Sequence, residues 1–409
     1  MKILLASYYP LPSLGGIWTF VSQLKTQLER DGHQVDIFSH HPENKNYRMM
    51  GKPEIDSNQF RKQLYLFKRQ KKLQRSIQTS AWIDTVDLNL YRMTLSASHY
   101  GLDQYDIIHA QDVIAASTLS QIKPDSVPIV TSAHGYLSGA IFYTLKSRHR
   151  HLTDTHIKQL AEYQYHNALE KKGYHSSDLI HTQSRWMQHK VVNEFSVPEE
   201  KLRVFPYALD IRQLVDKSSE QSSISKPKDK MVILYSGRLV YLKGVHHLID
   251  ALGLLKKQRN DWVCWILGEG ELKHNLQRQC KDAGIEHDVE FLVTKRNVYD
   301  YLKQADLFVL PSLQDTQPHS VMEAQVAGVA VIVSNAAGLP EMVINGKTGL
   351  IAQAGDSEQL FKQINYLLDQ PSIRNKLAAN AKKWGEQHWS LTKLANNTLA
   401  MYNDALQVN

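Results

Sequence analysis

A chain of 409 residues exceeds what one hydrophobic core usually serves, and 42% hydrophobic with 22% charged residues excludes the disordered and fibrous classes. Its 48 Lys and Arg against 41 Asp and Glu leave +7, an excess that suits an anionic ligand but is too modest to call for nucleic acid. No run nears the roughly 18 apolar residues of a membrane span, no signal peptide is read, and Cys264 and Cys280 are too few for a disulfide framework. A cytoplasmic enzyme is expected.

The chain opens with an apolar run over 2–7, a turn through Gly15-Gly16, a helix with Phe20, Val21, Leu24 and Leu28 on one face, and a second apolar run over 35–38. That is one βαβ unit. The stretch 45–75 then breaks the pattern: Lys45, Arg48, Lys52, Arg61, Lys62, Lys68, Arg69, Lys71, Lys72 and Arg75 face only Glu54 and Asp56, and Phe60, Leu64, Phe67 and Leu73 can share one helical face. Such a segment is either a solvated basic helix or a surface for acidic lipid or an anionic acceptor, so peripheral contact with the inner face of an anionic membrane through 45–75 is an expectation.

Short apolar runs recur at 107–110, 128–131, 179–182 and 202–205. Continuous apolar strands alternating with helices predict a parallel sheet covered on both faces. Residues 217–230 are polar and serine-rich and read as a linker; beyond them the alternation restarts at 232–235, 263–267, 289–292, 307–310 and 329–333. The expected division is an N-terminal domain over 1–216, a C-terminal domain over 231–385, and a C-terminal helix over 386–409 packing back on the first domain.

Glycines and charges gather where strands end. Gly15-Gly16 precedes the first helix, where backbone N–H groups can meet a phosphate, although such a pair also serves plain steric ends. Gly237-Arg238 follows the first strand of the second half, and Lys243-Gly244 comes five residues later; a guanidinium fork and an ammonium there can clamp a diphosphate. Gly268-Glu269-Gly270 again closes a strand, as a ligand approach or as a tight turn. The segment 310–328 carries Asp315 in a loop and Glu323 in the helix that follows, two carboxylates able to accept hydroxyl hydrogen bonds.

Gly237-Arg238 with Lys243-Gly244, Gly268-Glu269-Gly270, Pro311-Ser312, Asp315 with Glu323, Gly328, Gly338-Leu339-Pro340-Glu341 and Gly346-Lys347-Thr348-Gly349-Leu350 together resemble glycosyltransferase family 4. Gly15-Gly16, Gly32-His33, Tyr105-Asp106-Ile107-Ile108-His109, the run from Val197-Pro198 through Lys201, and Asp210 extend the resemblance over the N-terminal half. It implies the GT-B fold, two Rossmann-like doubly wound α/β domains facing across a cleft, and a retaining hexosyltransferase. The donor would be a nucleotide-diphosphate sugar, by default a UDP-sugar, and the acceptor a hydroxyl in cell-surface polysaccharide or glycolipid synthesis.

By the same resemblance, Arg238 and Lys243 hold the donor diphosphate with the Gly15-Gly16 turn, Glu323 takes the ribose hydroxyls, Asp315 faces the donor sugar, and His134 lies over that sugar. Backbone groups near Val293 would read the base, beside Gly237 and Gly268. No Asp-x-Asp metal motif stands in a plausible place, and no cofactor is expected beyond the donor. Two departures stand out: Asp315 replaces the usual glutamate and is one methylene shorter, and Tyr207 sits in Pro206-Tyr207-Ala208 where Pro-Asn-Gly is common. A GT-B phosphorylase and a silent nucleotide-sugar-binding subunit are the alternatives.

Overall fold

The structure is a computed structural model that describes all residues except 14–15, 44–45, 57, 75–80, 217–224, 293–297 and 409, and no side chains at 72–74, 81 and 408. The apolar runs become two sheets. The first holds β1 (Lys2–Pro10), β2 (Gln34–His40), β3 (Tyr47–Met49), β4 (Ile107–Ala110), β5 (Ile129–Ser132), β6 (Leu179–Thr182) and β7 (Leu202–Val204) in the order β3-β2-β1-β4-β5-β6-β7. Only β3 is antiparallel, pairing Phe38 with Met49. The second holds β8 (Met231–Ser236), β9 (Trp262–Leu267), β10 (Val289–Leu292), β11 (Leu307–Leu310), β12 (Ala330–Ser334) and β13 (Leu350–Ala352), all parallel, in the order β10-β9-β8-β11-β12-β13.

Central strands are apolar along their whole length because helices cover both faces. Ile3 through Ala6 and Leu307 through Leu310 are fully buried. The first helix, α1 (Gly16–Arg30), buries Phe20, Val21, Leu24 and Leu28, the face its periodicity predicts. In each sheet the strand order reverses beside the first strand, between β1 and β4 and between β8 and β11. These are the switch points where open α/β sheets bind ligands, outside the carboxyl ends of the strands.

The chain divides into two units, one of residues 1–141, 154–205 and 392–409, the other of 142–153 and 206–391. The boundaries therefore differ from those expected at 216, 231 and 386. The main passage falls at 205/206, where β7 has ended, and not in the serine-rich stretch, most of which lies outside the described residues. Residues 142–153 join the second unit because the helix Leu137–Arg148 begins in one unit and ends in the other, with Tyr143 donating to the carbonyl of Leu313 at 3.1 Å. The C-terminal helix Leu391–Val408 serves the first unit from Thr392 onward: Tyr402 meets His109 Nδ1 at 2.7 Å and Asp404 pairs with Arg203 at 2.8 Å.

The basic stretch is not one apolar-faced helix. Arg48 lies in β3, Lys52 pairs with Asp36 at 3.2 Å, and the helical part is α2 (Arg61–Gln74), which lies on α3 (Ala81–Tyr100). Phe67 stacks on Tyr91 with ring centroids 4.4 Å apart, and Phe60 meets His99 edge-on at 6.3 Å. Phe67 of the expected apolar face is thus turned toward α3, as in a solvated basic helix; Lys45 and Arg75 lie outside the described residues, and so does the side chain of Leu73.

Candidate functional site

In the second unit the ends of β8, β9 and β11 close on one another through backbone. The N–H of Gly237 donates to Leu267 at 3.0 Å. A Cβ on Gly268 would stand 1.9 Å from the carbonyl oxygen of Gly237, and one on Gly244 would stand 2.0 Å from that of Pro311. Gly244 also has φ +68°, in the left-handed region. The glycine at 268 is therefore demanded first by the approach of β8's exit to β9, whatever a ligand asks of it.

Lys243 stands in the single 3-10 turn Tyr241–Lys243, held by Leu313 N–H donating to Leu242 at 2.7 Å. Its ammonium donates to Asp315 Oδ2, and each side chain is only 13% exposed. Ser312 Oγ donates to the same oxygen at 3.3 Å, and the Asp315 carbonyl accepts the Gly338 N–H at 2.9 Å. Arg238 lies at the exit of β8 with its side chain exposed, and it makes no hydrogen bond or ion pair with the described residues. Its carbonyl accepts Tyr235 OH at 3.0 Å, which pins the turn. One cation is thus fixed by a carboxylate and the other is left open, both at the β8/β11 switch point.

Glu323 lies on the helix His319–Ala327, one turn past His319. It is half-buried, no described residue donates to its carboxylate, and burial pushes it up to about 7. His319 is buried, held down to about 4 by desolvation, with Nε2 unpaired among the described residues. Its ring stacks on Tyr207 at 5.7 Å, and the Tyr207 N–H donates to Gln317 Oε1 at 2.6 Å. Tyr207, the departure in the sequence, is therefore a packing partner of the loop and helix that carry Glu323.

In the first unit, His134 follows β5. Its Nε2 meets Gln111 Oε1 at 3.0 Å, its ring contacts Phe20 edge-on at 4.7 Å, and its carbonyl accepts Gln183 Nε2 at 3.2 Å. The Gln111 amide nitrogen donates to the carbonyl of His109, so its oxygen faces His134 and Nε2 carries the proton. Asp112 caps α4 (Val113–Leu119), accepting from Ala115 N–H at 2.7 Å and from Tyr8 N–H at 2.8 Å; burial raises it to about 6. Gly16 is the exposed first residue of α1, whereas Gly15 and Val293 lie outside the described residues. Reading motifs missed Gln111 and Asp112; the signal was their place directly after β4. Among the described residues no three His, Cys, Asp or Glu side chains group as metal ligands, and no helix is long and apolar enough to cross a membrane.

Residues 14–213 match the family model for Glycosyltransferase Family 4, and residues 216–384 match that for Glycosyl transferases group 1. The chain is 25% identical over 423 residues to an uncharacterized glycosyltransferase, MJ1607, of Methanocaldococcus jannaschii, covering 100% of this chain and 99% of that protein. Sucrose-phosphate synthase from Thermosynechococcus elongatus has the same fold, with TM-score 0.75, 19% identity and full coverage of both chains. So does Anabaena Alr3699/HepE in complex with UDP-glucose, with TM-score 0.67, 18% identity and full coverage of both.

Proposed function

The chain belongs to glycosyltransferase family 4 and is a transferase of the GT-B type; from that premise we propose that it moves a hexosyl group from a UDP-sugar to a hydroxyl acceptor with retention of configuration. The observation that carries this reading is the pair of an open Arg238 and a tethered Lys243 at the β8/β11 switch point, with Glu323 on the helix His319–Ala327 a carboxylate to which no described residue donates. A nucleoside diphosphate offers the complement of each: phosphate oxygens for the two cations and ribose hydroxyls for Glu323. The solved HepE complex contains UDP-glucose, which supports UDP as the carrier.

In this reading the bond between the anomeric carbon and the diphosphate oxygen breaks with oxocarbenium-like charge on the sugar. Arg238 and Lys243, together with the N–H groups at Gly15-Gly16, stabilise the departing diphosphate, whose oxygen takes the acceptor's proton as the acceptor bonds to the same face. An ammonium has three protons, so Lys243 can serve the phosphate while Asp315 keeps it aimed. Asp315 is assigned to the sugar, His134, whose ring Gln111 orients by accepting its Nε2–H, is assigned to the sugar by the family resemblance, and the backbone near Gly237, Gly268 and Val293 is assigned to the nucleoside. One tethered and one open cation supply the neutralisation that a divalent ion supplies elsewhere, so no further cofactor is assigned. The acceptor is assigned to cell-surface polysaccharide or glycolipid synthesis, reached at the inner membrane face through 45–75.

The test is a thermal-shift panel of UDP-, GDP- and ADP-sugars on the full chain. A UDP-sugar at 100 times its dissociation constant should add about 2.7 kcal/mol to stability. Indifference to every nucleotide sugar would sink the reading.

A further inference from the structure

Helix α2 turns Phe67 and Lys71 toward α3, Lys71 donating to Asp87 at 2.6 Å, and leaves Arg61, Lys62, Tyr65, Leu66, Lys68 and Arg69 outward. Tyr65 is 64% and Leu66 50% exposed, unusual for side chains of their size. Between Asp56 and Asp84 the sequence has seven Lys and Arg and no acid. Into this surface opens a cavity of about 670 Å³, lined among others by Asn58, Arg61, Lys62, Tyr65, Lys68 and Arg92.

Four cations and no carboxylate line the cavity. Arg61, Lys62 and Lys68 make no hydrogen bond or ion pair with the described residues. Arg92, on α3, is half-buried and among the described residues donates only to Asn89 Oδ1, at 3.1 Å. Partial burial strips water from the Arg92 guanidinium, so an anion gains more beside it than beside a fully exposed cation. Arg92 also acts on His40, at the end of β2, and on Tyr47, whose hydroxyl donates to the carbonyl of Tyr8 at 3.1 Å.

We propose that this cavity is a binding site for the phosphomonoester headgroup of a membrane lipid. Arg61, Lys62, Lys68 and Arg92 surround the phosphate, and Tyr65 and Leu66 enter the boundary between headgroups and acyl chains. The proposal rests on the membrane-contact reading of 45–75 and goes further, from diffuse attraction to a defined pocket. A lipid fits better than a soluble phosphate because the two apolar side chains are exposed beside the cations and because Arg69 extends the basic surface beyond the cavity. A phosphomonoester carries close to two charges at neutral pH, a phosphodiester one, so four cations around one cavity favour the former.

The test is sedimentation of the full chain with vesicles of phosphatidylcholine alone, with phosphatidylglycerol, or with phosphatidic acid, the last two at matched surface charge. A second arm is calorimetry with soluble glycerol phosphate. Phosphatidic acid vesicles should bind at least about tenfold more tightly than phosphatidylglycerol vesicles. Arg61→Gln with Lys62→Gln should remove about tenfold or more, each basic residue at such a surface contributing roughly fivefold. Arg92→Gln should abolish the preference between lipids, and Leu66→Ser, at a position outside the cavity lining, should weaken vesicle binding but leave glycerol phosphate unaffected. The thermal shift with UDP, none of whose assigned residues is altered, should be unchanged in every variant. Equal binding of the two acidic vesicles overturns the pocket and leaves diffuse membrane contact standing. Binding to no vesicle overturns both, and glycerol phosphate bound without any vesicle overturns the lipid source.

Discussion

Lys243 and Asp315, 72 residues apart in sequence, form an ion pair sheltered from water at the mouth of β8 and β11. Removing either leaves the other charge sheltered and unpaired. Lys243→Ala should therefore cost roughly 1–3 kcal/mol of stability, and in a double-mutant cycle with Asp315→Asn the losses should fall short of additive by more than about 0.5 kcal/mol. Chemical denaturation of the four proteins measures this; additive losses would mean that the pair does not form.

Turnover divides the roles of the same residues. Arg238→Ala and Lys243→Ala should each raise the barrier by roughly 2–4 kcal/mol, as for a fixed donor to developing charge. Asp315→Asn should slow transfer by about 1.5–3 kcal/mol while costing less UDP affinity than Lys243→Ala, because the amide keeps the shape but loses the charge-assisted hydrogen bond that aims Lys243. Steady-state rates beside calorimetric affinity for UDP check both.

Glu323 titrates in the wrong place for an ordinary carboxyl, pushed up to about 7 by burial. Its folded value lies above its unfolded one, so the stability it contributes is full below about pH 4.5 and declines as pH rises toward 7. Glu323→Gln should gain on the parent by roughly 1–3 kcal/mol across that window, seen as a melting-temperature difference that grows with pH and levels off near 7. UDP binding selects the ionised form, so affinity should rise through the same window and binding near pH 6.5 should release protons to buffer; Glu323→Gln should bind UDP weakly at every pH.

The strand ends tolerate no side chain at two positions. Gly268→Ala drives a methyl group into the carbonyl of Gly237, and Gly244→Ala adds a disfavoured left-handed alanine to a clash with Pro311. Each should lose about 1–3 kcal/mol in denaturant melts and weaken UDP binding in step. An unchanged midpoint would refute the close approach.

Gln111 holds the proton on His134 Nε2. Gln111→Leu should lower kcat several-fold with little change in KM for the donor, since it frees the ring without touching the nucleotide's cations. A KM effect alone would assign Gln111 to donor binding.

Much of this was legible in sequence for a physical reason. Strands buried on both faces read as unbroken apolar runs, which located β1, β4, β6, β8 and β9. β3 was not legible because Tyr47, Arg48 and Met49 alternate on a three-residue antiparallel edge, and β13 is equally short. Glycines and charges at strand ends marked Arg238, Lys243 and Asp315. Their pairing was hidden, since contact across 72 residues depends on which strands are neighbours. The apolar stripe of α2 was legible, but periodicity cannot tell whether a partner such as Tyr91 already covers it.

The three-part first unit has a consequence for recombination between relatives. The chain passes from one unit to the other at 141/142, 153/154, 205/206 and 391/392, so an exchange of halves at a single joint near 216 would pair one parent's Tyr402 with another's His109. His109 sits in a buried chain through Ser132 and His181 to the carbonyl of Phe205, and its ring is neutral there. A mismatched helix would leave that ring's Nδ1 without its partner, at about 1–3 kcal/mol for one sheltered polar group. Grafts that carry the tail with the front half should fold better than those cut once, which makes the last eighteen residues inherited property of the beginning of the chain.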